Sequence, residues 1–311
     1  MAIDDTDAFL ERRRMRRQVT RWRIVAALVA LLVIAAAAWR ADIRGLAGGP
    51  YVARLNISGT IVDDPARDRA LSALARDDRM SALIVRIDSP GGTVAGSEAL
   101  YRQLRVIAAR RPVVAVMAQT AASGGYMTAL AADHIIAREG TITGSIGVLM
   151  QVPNVVDLLG RIGVRIDLIK SDPLKAVPSP LEPLTPEGRA AAETVVRDMY
   201  DMFLGMVVER RRLERDRARG LADGRIYTGR QAREAGLIDA IGGEDEARAW
   251  LAARGVAREL RVRDVEIDRD RGLVREVVHA AVAAVIGKTV LIERLTLDGP
   301  VALWHPSGRV Q

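Results

Sequence analysis

The sequence predicts an α/β domain built on a largely parallel sheet. Three observations lead there. Short apolar runs alternate along the chain with segments of helical spacing. Several of the runs close on glycine- or proline-bearing turns. The composition, 49% hydrophobic and 27% charged over 311 residues, suffices for one large folded domain with a core. Strands that alternate with helices pair in parallel, because each helix carries the chain back to the starting edge.

Taken in order, YVARLNISG (51–59) reads as a strand leading to a turn, and ARDRALSALARDD (66–78) as a helix. ALIVRID (82–88) reads as a buried strand ending at SPGG, 95–110 as a helix, and VVAVM (113–117) as a strand. Gly124 to Ala132 is helical and HIIA (134–137) is another strand. The segment 186–213 has the spacing of a long amphipathic helix, with Thr185 placed to cap it. Residues 225–243 give a strand, a helix and a glycine-rich stop, and 244–255 a helix. Beyond that, ELRVRDVEI reads as a strand and 274–287 as an apolar-faced helix. The expected organisation is a basic tail (1–23), an anchor (24–39), a linker (40–50), a folded domain (51–255) and a C-terminal extension (256–311).

The anchor is IVAALVALLVIAAAAW, bracketed by Trp22 and Trp39. An uncharged run of this kind suits a transmembrane helix whose flanking arginines reach for the headgroups. A cleaved secretory signal is its nearest rival, given the small residues at Ala36 to Ala38. Seven arginines precede the run, so the N-terminus is expected in the cytoplasm and residues 40–311 on the far side of an inner membrane.

Charge and composition exclude several chemistries. The net charge is +7, of which +3 falls in residues 1–23, so the remainder is mildly basic for its size. With 4% aromatic residues, nucleic-acid binding by stacking is not expected. The absence of cysteine removes thiol nucleophiles, disulfides and thiolate metal sites; no metal or cofactor is expected. The candidate bases are three lysines (Lys170, Lys175, Lys288) and three histidines (His134, His279, His305).

Four segments offer chemistry. In AASGGYMTALAA (121–132), Ser123 sits at a strand-to-helix turn, and the amide of Gly124 is placed to meet a developing oxyanion. The plain alternative is a helix N-cap. IDSPGGTV (87–94) ends a strand in a turn that exposes amides, suited to a second oxyanion donor and to an extended peptide. In IKSDPLKAVPSP (169–180), Lys175 has apolar neighbours, and an apolar pocket would favour the neutral amine that a general base requires. GTITGSIGVLM (140–150) puts Ser145 in a glycine-flanked turn, where its hydroxyl can hold such an amine in line. Asp133 and His134, just after Ser123, leave a Ser-His-Asp arrangement open.

Taken together, IDSPGGTV, AASGGY, TITGSIGV, KAVPSP and GRIYTGRQAREAGLIDAIGG resemble the signal peptide peptidase A (SppA) family of serine peptidases. The likeness runs over roughly residues 50–250, in a single copy as in the family's short form. It implies a ClpP/crotonase-like domain of repeated β-β-α units behind one transmembrane helix. It further implies Ser123 as nucleophile, Lys175 as base, Ser145 orienting the lysine, and Gly91, Gly92 and Gly124 as oxyanion or substrate backbone. The partners it implies are signal-peptide remnants, the membrane and further copies of the chain, in a homo-oligomer with shared active sites. A catalytically inactive scaffold and an acyl-CoA enzyme of the same fold are the readings it must displace.

Overall fold

The computed structural model describes residues 21–31, 33 and 49–267. Residues 21–31 form helix α1, the described part of the expected anchor, with Trp22, Leu28 and Leu31 exposed. The rest of that run, Val33 apart, lies outside the described residues, as does the helix expected over 274–287. Among the described residues no helix is long and apolar enough to cross a membrane.

The domain proceeds β1 (Tyr51–Ser58), α2 (Pro65–Leu74), β2 (Met80–Ser89), α3 (Val94–Ala108), β3 (Val113–Ala122), α4 (Gly124–Ala129), β4 (His134–Ala137), β5 (Ile142–Gly144) and α5 (Val156–Arg161). There follow α6 (Pro186–Arg211), α7 (Arg215–Leu221), β6 (Ile226–Thr228), α8 (Gly229–Ala235), β7 (Ala240–Ile241), α9 (Glu244–Ala252) and β8 (Val262–Asp264). Helices start where side chains can take the first free amides. Asp64 accepts from Ala66 and Arg67, Thr93 from Gly96, and Thr185 from Gly188. Up to β4 strands and helices alternate singly; only β4 and β5 follow one another without a helix, so the expected β-β-α unit is not repeated along this stretch.

The strands form one mixed sheet, ordered β6-β5-β3-β2-β1-β8, with β4 and β7 branching off β3. All its pairings are parallel except β5 with β6. The branch arises because β3 is long. Val114 to Met117 pair with β4, and Thr120 to Ala122 pair with β5. The sheet also continues past residue 255, since β8 pairs with β1 at Val52 to Arg54.

Both faces of the central strands are buried. Leu55, Leu83, Val85, Ile87, Ala115 and Met117 face a large core under α3, α4 and α6. Their neighbours Val52, Ala82, Ile84, Val114 and Val116 face a smaller one closed by Ala247 and Leu251 of α9. This two-sided burial is why these strands read as continuous apolar runs.

One edge of the sheet carries a pH-sensitive anchor. The Tyr51 hydroxyl donates to Asp77 Oδ2 at 2.9 Å, and Arg79 Nε donates to Asp77 Oδ1 at 3.0 Å. Burial, reinforced by the Asp77 hydrogen bond, pushes the Tyr51 phenol up from 10.0 to about 12. A raised acid binds its proton longer in the folded than in the unfolded chain, so stability falls as pH rises from 10 through 12. The loss expected from this group is about 2–3 kcal/mol. Denaturant unfolding of wild type and Tyr51→Phe at pH 9 and pH 12 will show it as a smaller drop in the phenylalanine variant; equal drops would refute it.

Candidate active site

Parallel strands of an α/β sheet present their C-terminal ends on one edge, and loops leaving that edge meet there. β2 and β3 pair as far as Ser89 and Ala121, so the SPGG loop and the SGG turn leave the sheet side by side. β5 joins them from the other flank, with Ala121 opposite Thr143 and Ala122 opposite Gly144. Ser123 N donates to Gly144 O at 2.8 Å, and the Thr143 hydroxyl donates to Ala121 O at 2.7 Å. Ser123 and Ser145 therefore leave the ends of adjacent strands together.

Ser123 adopts φ 52° and ψ −119°. This is the conformation of the first central residue of a type II′ turn, which glycine normally occupies. It makes no side-chain cap to α4, which sets aside the N-cap alternative. Its hydroxyl has no hydrogen-bond partner among the described residues and stays half-exposed. Ser145 (φ 49°) and Ala176 (φ 61°) also hold positive φ, and Ala176 directly follows Lys175. Three of the four described non-glycine residues with positive φ thus lie at or beside Ser123, Ser145 and Lys175. Backbone strain of this kind, of order 1–3 kcal/mol each, persists only where the surroundings impose it.

The glycines separate into two roles. The Gly91 N–H is taken by Ser89 Oγ at 3.1 Å, so Gly91 does not present a free donor. Its own part is close approach: a β-carbon there would stand 2.9 Å from both Gly124 N and Ser123 Cβ. Gly92 is pinned from behind, since Ile61 N donates to Gly91 O and Thr93 N donates to Ile61 O. A β-carbon on Gly92 would fall 1.8 Å from Ile61 O. Neither the Gly92 nor the Gly124 N–H finds an acceptor among the described residues, and the two glycines are packed together. Two unpaired amides beside an unpaired serine hydroxyl can receive a tetrahedral oxyanion.

Lys175 stands apart. The expected apolar pocket is not formed by the described chain. Lys175 is exposed, and its amine makes no hydrogen bond or ion pair with any described residue. It rides on the segment 148–185, which leaves the sheet after β5 and has few buried side chains to hold it against the domain. Leu149, Leu158, Ile162, Ile169 and Leu174 are all exposed there. The base of this segment is closed by an ion pair between Lys170 and Glu182.

His134 is placed too far away to serve Ser123. It is level with Val114, at the opposite end of β3. The strand from Val114 to Ala122 separates that level from the serine, a span well beyond the roughly 3 Å at which a general base must act. It stacks on Trp250 at 5.0 Å, with Asp239 3.7 Å from Nδ1, and burial pushes its pKa down. Asp133 is spent on the Val113 amide and the arginines Arg105 and Arg210. The Ser-His-Asp alternative fails on this geometry. Two residues that the sequence did not single out also belong to the site's frame, Ser89 under the loop and Tyr227, whose ring packs against Gly144. Ser89 was visible inside SPGG; nothing local to Tyr227 marks it.

The profile of peptidase family S49 matches residues 106–257, a range that holds Ser123, Ser145 and Lys175. A protein of Synechocystis sp. provisionally named a protease is 40% identical over 203 residues, 65% of this chain and 73% of that protein. Protease 4 of Salmonella typhi is 31% identical over 241 residues, 74% of this chain but 38% of its own length. The chloroplastic serine protease SPPA of Arabidopsis thaliana is 33% identical over 225 residues, 70% of this chain and 33% of its own length. Among solved structures, a membrane-bound stomatin-specific protease aligns over 71% of this chain and 100% of its own, with a TM-score of 0.45 at 16% identity. The chain covers most of the Synechocystis relative and carries the motifs in one copy; it belongs to peptidase family S49 and is a serine peptidase.

Proposed function

We propose that this protein is a membrane-anchored endopeptidase with a Ser/Lys dyad, cleaving signal-peptide remnants and other membrane-derived peptides. The observation that carries the reading is the strained Ser123 with an unpartnered hydroxyl beside the free amides of Gly92 and Gly124. Ser123 Oγ attacks the scissile carbonyl carbon while the neutral amine of Lys175 takes its proton. The carbonyl oxygen, now anionic, receives the N–H groups of Gly92 and Gly124. The C–N bond then breaks and Lys175 returns its proton to the leaving amine. Water, deprotonated by the same lysine, attacks the acyl carbon, the bond to Ser123 Oγ breaks, and the lysine returns that proton to Oγ. Ser145, beside Ser123 at the strand ends, holds the amine in line.

An exposed lysine is a poor base for a serine it does not touch. The apolar side chains around it give the remedy. A segment that exposes Leu149, Leu158, Ile162, Ile169 and Leu174 is expected to be covered. In this reading a second copy of the chain covers it, so that Lys175 of one protomer, desolvated by the contact, serves Ser123 of the next. The exposed apolar surface of α1 and the seven arginines ahead of residue 24 favour insertion with the N-terminus in the cytoplasm and the catalytic domain outside it. The preferred side chains are then broad and apolar, as signal-peptide cores are; discrimination of about 1–3 kcal/mol per side chain follows from apolar contact alone.

The test is covalent. A serine-directed peptidyl phosphonate is expected to modify Ser123, and peptide mapping will locate it. Labelling at another serine, or none in an assembled sample, would overturn the reading; an inactive scaffold gives none.

A further inference from the structure

Behind the proposed oxyanion site lies a buried hydroxyl that bonds none of the described residues. Ser97, one turn into α3, is fully buried, and its Oγ has no hydrogen-bond partner among the described residues. Removing a polar group from water without replacing its hydrogen bond destabilises a fold, so such groups are rare and concentrate where function retains them. This one is aimed at the site. A β-carbon on Gly124 would stand 2.2 Å from Ser97 Oγ and 3.1 Å from Gly92 N. The hydroxyl therefore occupies the space that a side chain at 124 would fill, and it flanks the same point as one of the two free amides. The connection runs through the backbone as well. Thr93, directly after Gly92, caps α3 through Gly96 N, and Ser97 N donates to Thr93 O at 3.0 Å.

We propose that Ser97 is a positioning residue for the oxyanion donors. Its Oγ bears on the Cα of Gly124 and sets the separation of the Gly124 and Gly92 amides; it does not touch substrate. This rests on the reading of Ser123 as nucleophile. The placement explains why the group is kept despite being unsatisfied. An alanine there would free the fold of an unpaired polar atom, yet would let the Gly124 turn settle toward α3 and away from the geometry that the oxyanion needs.

Ser97→Ala is thus expected to melt no lower than wild type while kcat on a short peptide falls about 10- to 100-fold. KM is expected to stay within about twofold, because ground-state binding does not use the misplaced amide. Affinity for a peptide boronate, which mimics the tetrahedral adduct, should fall in step with kcat, and the pH profile should keep its shape. Ser97→Cys, similar in size and still a weak donor, should recover part of kcat. If Ser97→Ala instead melts lower and loses activity only in proportion to folded protein, or keeps wild-type kcat and boronate affinity, the positioning role is wrong. Ser123→Ala separates this failure from the larger one: if that variant keeps turning over peptide, the nucleophile assignment falls and the Ser97 proposal falls with it. If Ser123→Ala is dead while Ser97→Ala is normal, only the positioning role is lost.

Discussion

Ser123→Ala will fold and assemble but cleave peptide at least about 10⁴-fold more slowly than wild type. A nucleophile and its base act as a unit, and losing either member removes most of the chemical acceleration. The residual rate comes from amides that remain in place, because neither Gly92 nor Gly124 depends on the Ser123 side chain. Stability is expected to change by about 1 kcal/mol or less, since the hydroxyl does not cap α4 and bonds none of the described residues. Ser123→Gly gives the internal control. Alanine inherits the strain of φ 52°, whereas glycine relieves it, so the glycine variant should be the more stable of the two by about 1 kcal/mol while equally inactive. Steady-state turnover with circular dichroism melts will decide. Turnover above a few per cent in either variant would end the assignment.

Lys175→Arg will be as inactive as Lys175→Ala, because a guanidinium stays protonated and cannot accept the serine proton. The stronger result concerns mixtures. Lys175 is exposed and unpartnered among the described residues, and in the proposed reading the dyad forms across a boundary between copies. Subunits carrying Ser123→Ala, unfolded and reassembled with an equal amount of subunits carrying Lys175→Ala, should regain activity that neither possesses alone. With random order, about a quarter of the boundaries unite an intact serine with an intact lysine, which sets the expected recovery. Recovery indistinguishable from zero in particles shown by light scattering to be mixed would place both groups in one chain.

Much of the fold was legible because its strands and helices carry local signatures. The buried runs at 51–58, 80–89 and 113–117, the cap at Thr185, and the turn at SPGG are all written within a few residues of where they act. The second half of β3 was not, since QTAA carries no strand signature of its own and is a strand through pairing with β5, twenty-odd residues later. β8 was legible as a strand in ELRVRDVEI, but its place in the sheet was not: it is held by β1, some two hundred residues earlier. Within the site, Ser123, Ser145 and Gly124 could be picked out by motif. The division of labour between Gly91 and Gly92 could not, because it depends on which amide the Ser89 hydroxyl captures. Lys175 was legible as a lysine among apolar residues, but apolar neighbours in sequence did not make the expected pocket, because the described residues leave this segment exposed.

The positive-φ residues at 123, 145 and 176 have a consequence for anyone breeding a hardier version of this molecule. A screen that rewards heat resistance alone will find glycine at 145 and 176 among its cheapest gains, since each relaxes the main chain without disturbing the core. Those same exchanges loosen the two turns on which the serine's neighbour and the lysine are mounted. Laboratory evolution of this scaffold should therefore be scored on cleavage and melting together, or it will climb toward a sturdy fold that has forgotten its trade.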